Sequence, residues 1–332
     1  MGHQLTISVH YPLESGRLVL RTDRDWTLDL EPIDENPERT RFDFLLDLEE
    51  PFHYYKPVIL AKGKTIWAQG ENLLALVNGH SQLNTYPHFF TDTTCSVCNL
   101  SFLKSKYTDR EHAVRVFYPP GYAENTLARY PVVYMQDGQN LFFPDEAFGG
   151  HHWQVEETLG ILDSMNLVKK AIVVGIYPQN RLEDYTKPGY EAYGRFLVDE
   201  LKPWVDCKYR SLGGPQNTGV MGSSLGGVVS FYLAWQWPQV FGLAACLSST
   251  FGFENDLMER VESEEKRRIK LYLDSGWPRD NYEVTRNMRN LLVRRGYREG
   301  KELLYLAFPR AKHNEDAWAM RAHIPFQHFF GT

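Results

Sequence analysis

The stretch GVMGSSLGGVVS, residues 219–230, places two adjacent serines among four glycines. A sharp turn from a strand into a helix requires small residues two positions before and two positions after its apex, because those positions pack against each other. Counted from Ser224 these positions are Gly222 and Gly226, whereas counted from Ser223 both carry large side chains that would clash. The pattern therefore predicts Ser224, and not Ser223, as a nucleophile at the apex of the turn.

The segments on either side of this turn fit a strand followed by a helix. A short apolar run precedes Ser224, and an apolar helical pattern follows it and ends at Pro238. The Ser224 hydroxyl would then stand at a helix N-terminus, where the helix dipole and the free N–H of Leu225 favour developing negative charge. A glycine-rich turn without chemistry has the same composition, and the sequence leaves that alternative open.

A serine nucleophile needs a base, and the base needs an acid that orients it. In α/β-hydrolase chain order both follow the serine. His313 comes directly after the predicted strand ELLYLAFPR, whereas His323 and His328 fall in the last helical segment. We therefore predict His313 as the base. Spacing alone does not choose among the acids that follow the penultimate strand: Asp274, Asp280 and Glu283.

The composition is that of an ordinary globular protein. Of 332 residues, 43% are hydrophobic and 23% are charged, and the net charge of −6 excludes the basic surface of a nucleic-acid-binding protein. No run approaches the roughly 18 apolar residues of a membrane-spanning helix. The N-terminus lacks the apolar region of a signal peptide, so a cytoplasmic protein is expected.

Metal or redox chemistry is not predicted from the cysteines. One C-x-x-C pair, Cys95 and Cys98, has no second pair near it, and a structural zinc site needs four ligands. The nearest other ligands are His88 and His112. The pair His151–His152 lacks an adjacent carboxylate in sequence. The remaining cysteines are isolated: Cys207 and Cys246.

Two patterns of secondary structure divide the chain. Residues 1–85 read as short strands, with alternating apolar positions at Phe42, Phe44, Leu46 and Leu48. Residues 86–105 change character and are expected to be a linker. Residues 106–332 alternate between strands and helices, which predicts a mostly parallel sheet covered by helices.

Five segments in this order resemble the esterase branch of the α/β-hydrolases that holds esterase D, enterochelin esterases and carbohydrate esterase family one. They are YPVVYMQDGQNLF, FLVDELKPWVDCKYR, GSSLGG, LDSGWPRDN and AKHNEDAW. The resemblance covers about residues 110–330. The first quarter of the chain more weakly resembles the immunoglobulin-like, glycan-binding-type modules that precede many such enzymes. The resemblance implies an α/β-hydrolase fold behind a small β-sandwich, with no cofactor.

The resemblance also implies roles for individual residues. The family's acid lies in the loop past the strand end, which favours Asp280 over Asp274. Its oxyanion hole takes one backbone N–H from the position of Gln139 and one from the position of Leu225. The dipeptide 277–278, Trp-Pro, departs from the shorter loop of many relatives and leaves the acid assignment unsettled.

Residues on loops at the carboxyl ends of strands are expected to face a ligand. Capping or packing is an equally good account of each of them. The substrate-contacting candidates are Trp153, Arg181, Tyr185 and Trp277.

Together these features predict a serine carboxylester hydrolase that works through an acyl-enzyme on acylated sugar, hydroxycinnamoyl or siderophore-type esters. One alternative is an acyltransferase on the same triad. Another is a non-catalytic glycan-binding protein that uses Trp26, Tyr54, Tyr55 and Trp67. The expected partners are a small ester and, in a homodimer, a second copy of the chain, with neither nucleic acid nor membrane.

Overall fold

The computed structural model describes residues 3–48, 50–76, 81–91 and 96–332. Two compact units make up the chain. The first consists of residues 1–95, 119–128 and 160–167. The second consists of residues 96–118, 129–159 and 168–332. The predicted boundaries, 1–85, 86–105 and 106–332, follow sequence patterns rather than contacts and stay a prediction.

The first unit contains two sheets. One has the order β4-β5-β1-β9, with strands β1 (His3–His10), β4 (Asp34–Glu35), β5 (Arg41–Leu48) and β9 (Gln82–Thr85). The other has the order β3-β2-β6-β7, and β8 also pairs with β6. Its strands are β2 (Arg17–Thr22), β3 (Asp25–Leu30), β6 (Phe52–Ala61), β7 (Lys64–Trp67) and β8 (Leu73–Leu76).

Alternating side chains from both sheets fill one hydrophobic core. In β5 the residues at even positions, Phe42 to Leu48, are buried while their neighbours are not. Residues of β2 and β6, among them Leu20 and Ile59, belong to the same core. The period of two places one face of each strand inward, which confirms the predicted β-sandwich.

One carboxylate holds the first part of the expected linker. Glu124 accepts hydrogen bonds from the backbone N–H groups of Phe89, Phe90 and Thr91 and from the Tyr11 hydroxyl, at 2.7–3.0 Å. Burial opposes the charged form, but these donors keep the pKa of Glu124 below its usual value. Residues 86–91 are therefore anchored within the first unit.

The second unit is built on a sheet of nine strands within the described residues. Its order is β10-β12-β14-β13-β15-β16-β17-β18, and β11 also pairs with β12. Its first strands are β10 (Ser96–Val97), β11 (Ser101–Lys104), β12 (Glu111–Tyr118), β13 (Val132–Gln136) and β14 (Ile172–Tyr177). The others are β15 (Thr218–Ser223), β16 (Leu243–Leu247), β17 (Lys270–Trp277) and β18 (Leu303–Pro309).

Strand β12 runs antiparallel to β14, and from β14 to β18 all neighbours are parallel. The connecting helices begin with α1 (Val155–Ser164), α2 (Arg181–Tyr185), α3 (Gly189–Phe196) and α4 (Lys202–Lys208). The later ones are α5 (Leu225–Gln236), α6 (Leu257–Ser263), α7 (Tyr282–Arg294), α8 (Glu315–Ala319) and α9 (His323–Phe330). This arrangement confirms the predicted α/β-hydrolase fold.

The strands at the centre of the sheet are buried on both faces. Every residue of β13, β15 and β16 is buried, as expected for parallel strands covered by helices. Helix α5 is also buried, without a break from Gly226 to Trp235. Within the described residues, no helix combines the length and apolar character that a membrane crossing requires.

The turn from β15 into α5 depends on missing side chains. A Cβ atom on Gly222 would lie 2.6 Å from the backbone carbon and oxygen of Gly226, and one on Gly227 would lie 2.0 Å from Ser249 Oγ. Between them Ser224 has φ 55° and ψ −119°, a strained conformation for a residue with a side chain. The Ser224 N–H donates to Leu247 O at 2.9 Å, which ties the apex to the next strand.

We expect Gly222→Ala to lower the free energy of unfolding by roughly 1–3 kcal/mol or more, because the new methyl group meets backbone that cannot move aside. Gly219→Ala is the matched control in the same strand, since a Cβ there has its nearest neighbour at 3.5 Å. Urea unfolding of both variants measures the difference. Equal stabilities would contradict the close packing of this turn.

His112 is a fully buried, neutral histidine on β12. Its ring stacks on Phe196 with centroids 4.3 Å apart, and its Nε2 lies 2.8 Å from Thr108 Oγ1. Burial, with the nearby charge of Arg110, lowers the pKa of His112 to about 4. The unfolded chain therefore binds a proton at a higher pH than the folded chain does.

This depressed pKa makes stability pH-dependent. The contribution of His112 is fully present above pH ~6.5 and is lost as the pH falls toward 4, by about 2 kcal/mol at pH 5. In His112→Phe, which keeps an aromatic ring against Phe196, the loss of unfolding free energy between pH 7.5 and pH 5 should be smaller by that amount. Urea unfolding at both pH values measures it, and parallel losses in the two proteins would show that His112 does not titrate in this range.

Candidate active site

Four side chains lie on loops that follow neighbouring parallel strands at one edge of the sheet. Ser224 follows β15, Ser248 follows β16, Asp280 follows β17 and His313 follows β18. The carboxyl ends of parallel strands meet at one edge of a sheet, where α/β proteins bind ligands. The fold therefore brings the residues predicted as nucleophile, acid and base to the same edge.

Asp280 and His313 are in direct contact. His313 Nδ1 lies 2.5 Å from Asp280 Oδ1, and the Asp280 side chain is only 2% exposed. Because a carboxylate oxygen can only accept, this contact places the ring proton on Nδ1 and leaves Nε2 able to accept one. The Trp318 and His313 rings are nearly perpendicular, with centroids 4.9 Å apart.

The second oxygen of Asp280 has two donors of its own. Asp280 Oδ2 accepts from Ser248 Oγ at 2.6 Å and from the Gly276 N–H at 2.7 Å. Asp280 and Asn281 both have positive φ angles, and Asn281 Nδ2 donates to Ser248 O at 2.7 Å. The loop after β17 is thus held with its carboxylate turned toward His313.

The other two acids that the sequence left open do not contact His313. Asp274 is completely buried, accepts from the Tyr272 hydroxyl at 2.7 Å and pairs with Arg321 Nε at 3.2 Å. Burial raises the pKa of Asp274 to about 6 although Arg321 opposes this shift. Glu283 lies on α7 and pairs with Arg286 on the surface.

Ser224 is partly buried at the start of the 12-residue helix α5. Among the described residues no side-chain hydrogen bond joins Ser224 to His313. Within the same residues, the backbone N–H groups of Leu225 and Gln139 donate to no protein acceptor. These two N–H groups and the helix dipole are suited to stabilising an anion.

The loop that carries Gln139 is fixed against the start of α5. Asp137, with φ 56°, accepts two hydrogen bonds from Arg181 at 2.8 and 2.9 Å. Its backbone N–H donates to the Tyr185 hydroxyl at 3.0 Å. A Cβ atom on Gly226 would lie 3.2 Å from Asp137 Oδ2, so the loop and the helix are in close contact.

The four predicted substrate-contacting residues separate into two groups. Tyr185 is fully buried and Trp153 is 2% exposed, so both are placed beneath the loops and offer no free surface to a substrate. This corrects their expected role: Tyr185 supports the backbone at Asp137. Arg181 pairs with Asp137 while its side chain stays 38% exposed, and Trp277 is 48% exposed at the end of β17.

Sequence reasoning missed three residues that surround Asp280. Ser248, Trp318 and Arg321 are all buried and meet at the Ser248 hydroxyl. Trp318 and Arg321 lie 70 and 73 residues from Ser248 in the chain. No motif spacing connects positions so far apart, and only the segment AKHNEDAW placed a tryptophan near the base.

One group within the described residues offers ligands for a metal. His152, Glu156 and Glu157 have ligand atoms within 4.8 Å of one another, and burial raises the pKa of Glu156 to about 7. No carboxylate adjoins the histidines in the sequence, and the first turn of α1 brings Glu156 and Glu157 together with His152. Cys95 lies outside the described residues, and Cys98 Sγ accepts from the Val116 N–H.

Comparison with known proteins extends these observations. A family model described as "Putative esterase" matches residues 105–323. Among curated proteins, "Uncharacterized protein YbbA" of Bacillus subtilis (strain 168) is 26% identical over 157 residues, which cover 42% of this chain. The chain spans 57% of that relative's length.

Two solved structures share the fold. A ferulic acid esterase superposes with a TM-score of 0.60 at 17% identity, over 72% of this chain and 99% of its own. The enterobactin esterase of Shigella flexneri, determined in the presence of enterobactin, gives a TM-score of 0.60 at 14% identity, over 98% of this chain and 92% of its own. At such identities the likeness shows the α/β-hydrolase fold, whereas the family match covers well over half of the sequence. On that match the chain belongs to the "Putative esterase" family of carboxylic ester hydrolases.

Proposed function

We propose that the protein is a serine carboxylester hydrolase in which Ser224, His313 and Asp280 form the triad. The contact of Asp280 with His313 Nδ1, at the sheet edge that also carries the strained Ser224 turn, is the observation on which this proposal rests. A serine at the start of a buried helix and a histidine in the loop after the last parallel strand are an arrangement that supports acyl transfer in α/β-hydrolases.

In the proposed reaction, His313 Nε2 takes the proton of the Ser224 hydroxyl as Oγ attacks the ester carbonyl carbon. The N–H groups of Gln139 and Leu225 stabilise the tetrahedral oxyanion. When the intermediate collapses, His313 returns the proton to the leaving alcohol, and the acyl group stays on Ser224. Water then attacks the acyl-enzyme through the same steps, with His313 taking its proton and returning it to Ser224, and the acid is released.

The proposed substrates are acylated sugar, hydroxycinnamoyl or siderophore-type esters. This choice follows the ferulic acid esterase and the enterobactin esterase that share the fold. Exposed Trp277, the last residue of β17, and the partly exposed guanidinium of Arg181, the first residue of α2, are suited to aromatic, electron-rich groups. Turnover of p-nitrophenyl acetate, a feruloyl ester and a catecholate siderophore would rank these classes.

Neither alternative function has an observation that favours it. For glycan binding, Tyr55 is 3% exposed and its hydroxyl is bonded to Thr85, which removes one of the four aromatic residues considered. For acyl transfer, product analysis in the presence of a sugar would show whether a sugar hydroxyl outcompetes water.

Ser224→Ala should abolish ester hydrolysis, with a loss on the order of 10⁶ in kcat, and should abolish covalent labelling by a fluorophosphonate. Ser223→Ala is the control, because Ser223 is buried in β15 and has no predicted role in the reaction. It should keep most of the activity and the label. Mass spectrometry locates the modified residue, and a label on Ser223 would refute the assignment.

Asp280→Asn should lose roughly 10⁴ in kcat with little change in thermal stability, because the amide permits the wrong imidazole tautomer. Asp274→Asn should instead lower the free energy of unfolding by roughly 3 kcal/mol, since it leaves the buried charge of Arg321 without its counter-ion. Steady-state kinetics and thermal unfolding of both variants measure this. Exchanged phenotypes would make Asp274 the triad acid.

A further inference from the structure

The Ser248 hydroxyl is the junction of a buried hydrogen-bond network behind Asp280. Ser248 is completely buried and has a positive φ angle of 45°. Its Oγ lies 2.6 Å from Asp280 Oδ2, 3.0 Å from Trp318 Nε1 and 2.9 Å from Arg321 Nη2. Three partners use the full hydrogen-bonding capacity of a hydroxyl, which is one donor and two acceptor positions.

The chemistry of these partners fixes the direction of every bond. An indole N–H and a guanidinium N–H can only donate, so Ser248 Oγ accepts from both Trp318 and Arg321. Its own proton must then point at Asp280 Oδ2. Asp280 Oδ2 accepts this hydrogen bond and a second one from the Gly276 N–H. Only Oδ1 is therefore left to contact His313.

Arg321 supplies a positive charge at the back of this network. It is 3% exposed, its Nη1 lies 4.0 Å from Asp280 Oδ2, and its guanidinium faces the ring of Phe308. Its Nε lies 3.2 Å from Asp274 Oδ2, and Asp274 is also bonded to the Tyr272 hydroxyl. Asp280 therefore lies between the His313 ring and the Arg321 cation, and Arg321 in turn pairs with Asp274.

Building on the proposed function, we propose that Ser248 and Arg321 are positioning residues for the triad. Arg321 polarises the Ser248 hydroxyl, and that hydroxyl holds the Asp280 carboxylate with Oδ1 toward His313 Nδ1. Neither residue contacts the substrate or the reacting atoms. Their effect is confined to the orientation and basicity of His313, so it should appear in kcat and in the pKa of the imidazole rather than in KM.

The sign of the pKa change follows from the charge on Asp280. The Ser248 hydroxyl and the Arg321 cation both draw negative charge away from the carboxylate. Without either one, Asp280 holds the imidazolium more strongly, so the acid limb of the pH–rate profile should move to higher pH. A variant that only loosened the contact between Asp280 and His313 would instead move this limb to lower pH, because the imidazolium would lose its counter-ion.

The test compares Ser248→Ala with Ser249→Ala in the full-length protein. Ser249 is an adjacent, equally buried serine whose Oγ makes no hydrogen bond within the described residues. Ser248→Ala should lower kcat and the rate of fluorophosphonate labelling by about tenfold or more. The loss should be smaller than the roughly 10⁴-fold loss expected when the imidazole is misoriented, as in Asp280→Asn. KM should stay unchanged, and Ser249→Ala should match the wild type.

Two substitutions at Arg321 separate charge from hydrogen bonding. Arg321→Met should raise the acid-limb pKa of the labelling rate, whereas Arg321→Lys keeps the charge and should leave that pKa in place. Since Arg321→Met leaves Asp274 without its counter-ion, the double variant Asp274→Asn/Arg321→Met provides a second protein in which both buried charges are removed. Because an anion is lost together with the cation, its upward shift should be smaller than that of Arg321→Met alone.

NMR titration of the His313 ring in protein labelled with ¹⁵N-histidine measures the same pKa without requiring turnover. Equal kcat values and equal His313 pKa values in Ser248→Ala and Ser249→Ala would overturn the proposal, even if hydrolysis depends on Ser224. If the wild type lacks Ser224-dependent hydrolysis, the proposed function fails. The NMR titration still decides whether Ser248 and Arg321 act on His313.

Discussion

The close backbone contact between Gly222 and Gly226, neither of which has a side chain, is the constraint on which the candidate site depends. It lets β15 turn directly into α5 with Ser224 in a conformation that side chains normally avoid. The same closeness lets the loop of Asp137 rest on the first turn of α5. One tight turn thereby sets the distances among the serine, the backbone N–H donors and the neighbouring strand ends.

The charged side chains near this edge of the sheet form ion pairs with one another. Arg181 forms two hydrogen bonds to Asp137, and Arg321 lies between Asp274 and the Asp280 carboxylate. Buried ions are costly unless they are paired and hydrogen-bonded. Here each cation also fixes a loop, so the electrostatic and the conformational requirements of the edge are met by the same side chains.

The sequence predicted those features of the fold and the site that local residue patterns determine. Alternation identified the β-sandwich, glycine spacing located the Ser224 turn, and strand order placed His313 at the right edge. Spacing did not distinguish Asp280 from Asp274, and only the family resemblance favoured Asp280, because the backbone after β17, with positive φ angles at Asp280 and Asn281, turns that carboxylate toward His313. Tyr185 and Trp153 were expected to face a ligand and are buried instead, since a residue's position after a strand does not reveal whether its side chain turns outward or inward.

The unbroken burial of α5 has a consequence for how the protein is made. A helix that is apolar all round has no face that water can solvate, so it is stable only inside a completed set of neighbours. During synthesis, β16, β17 and β18 emerge after α5, and they carry the residues that complete the site. A nascent chain that stops before them exposes this helix and is a target for aggregation or chaperone binding. Ser224 therefore takes its final backbone conformation only at a late stage of folding, when Asp280 and His313 are already in the chain.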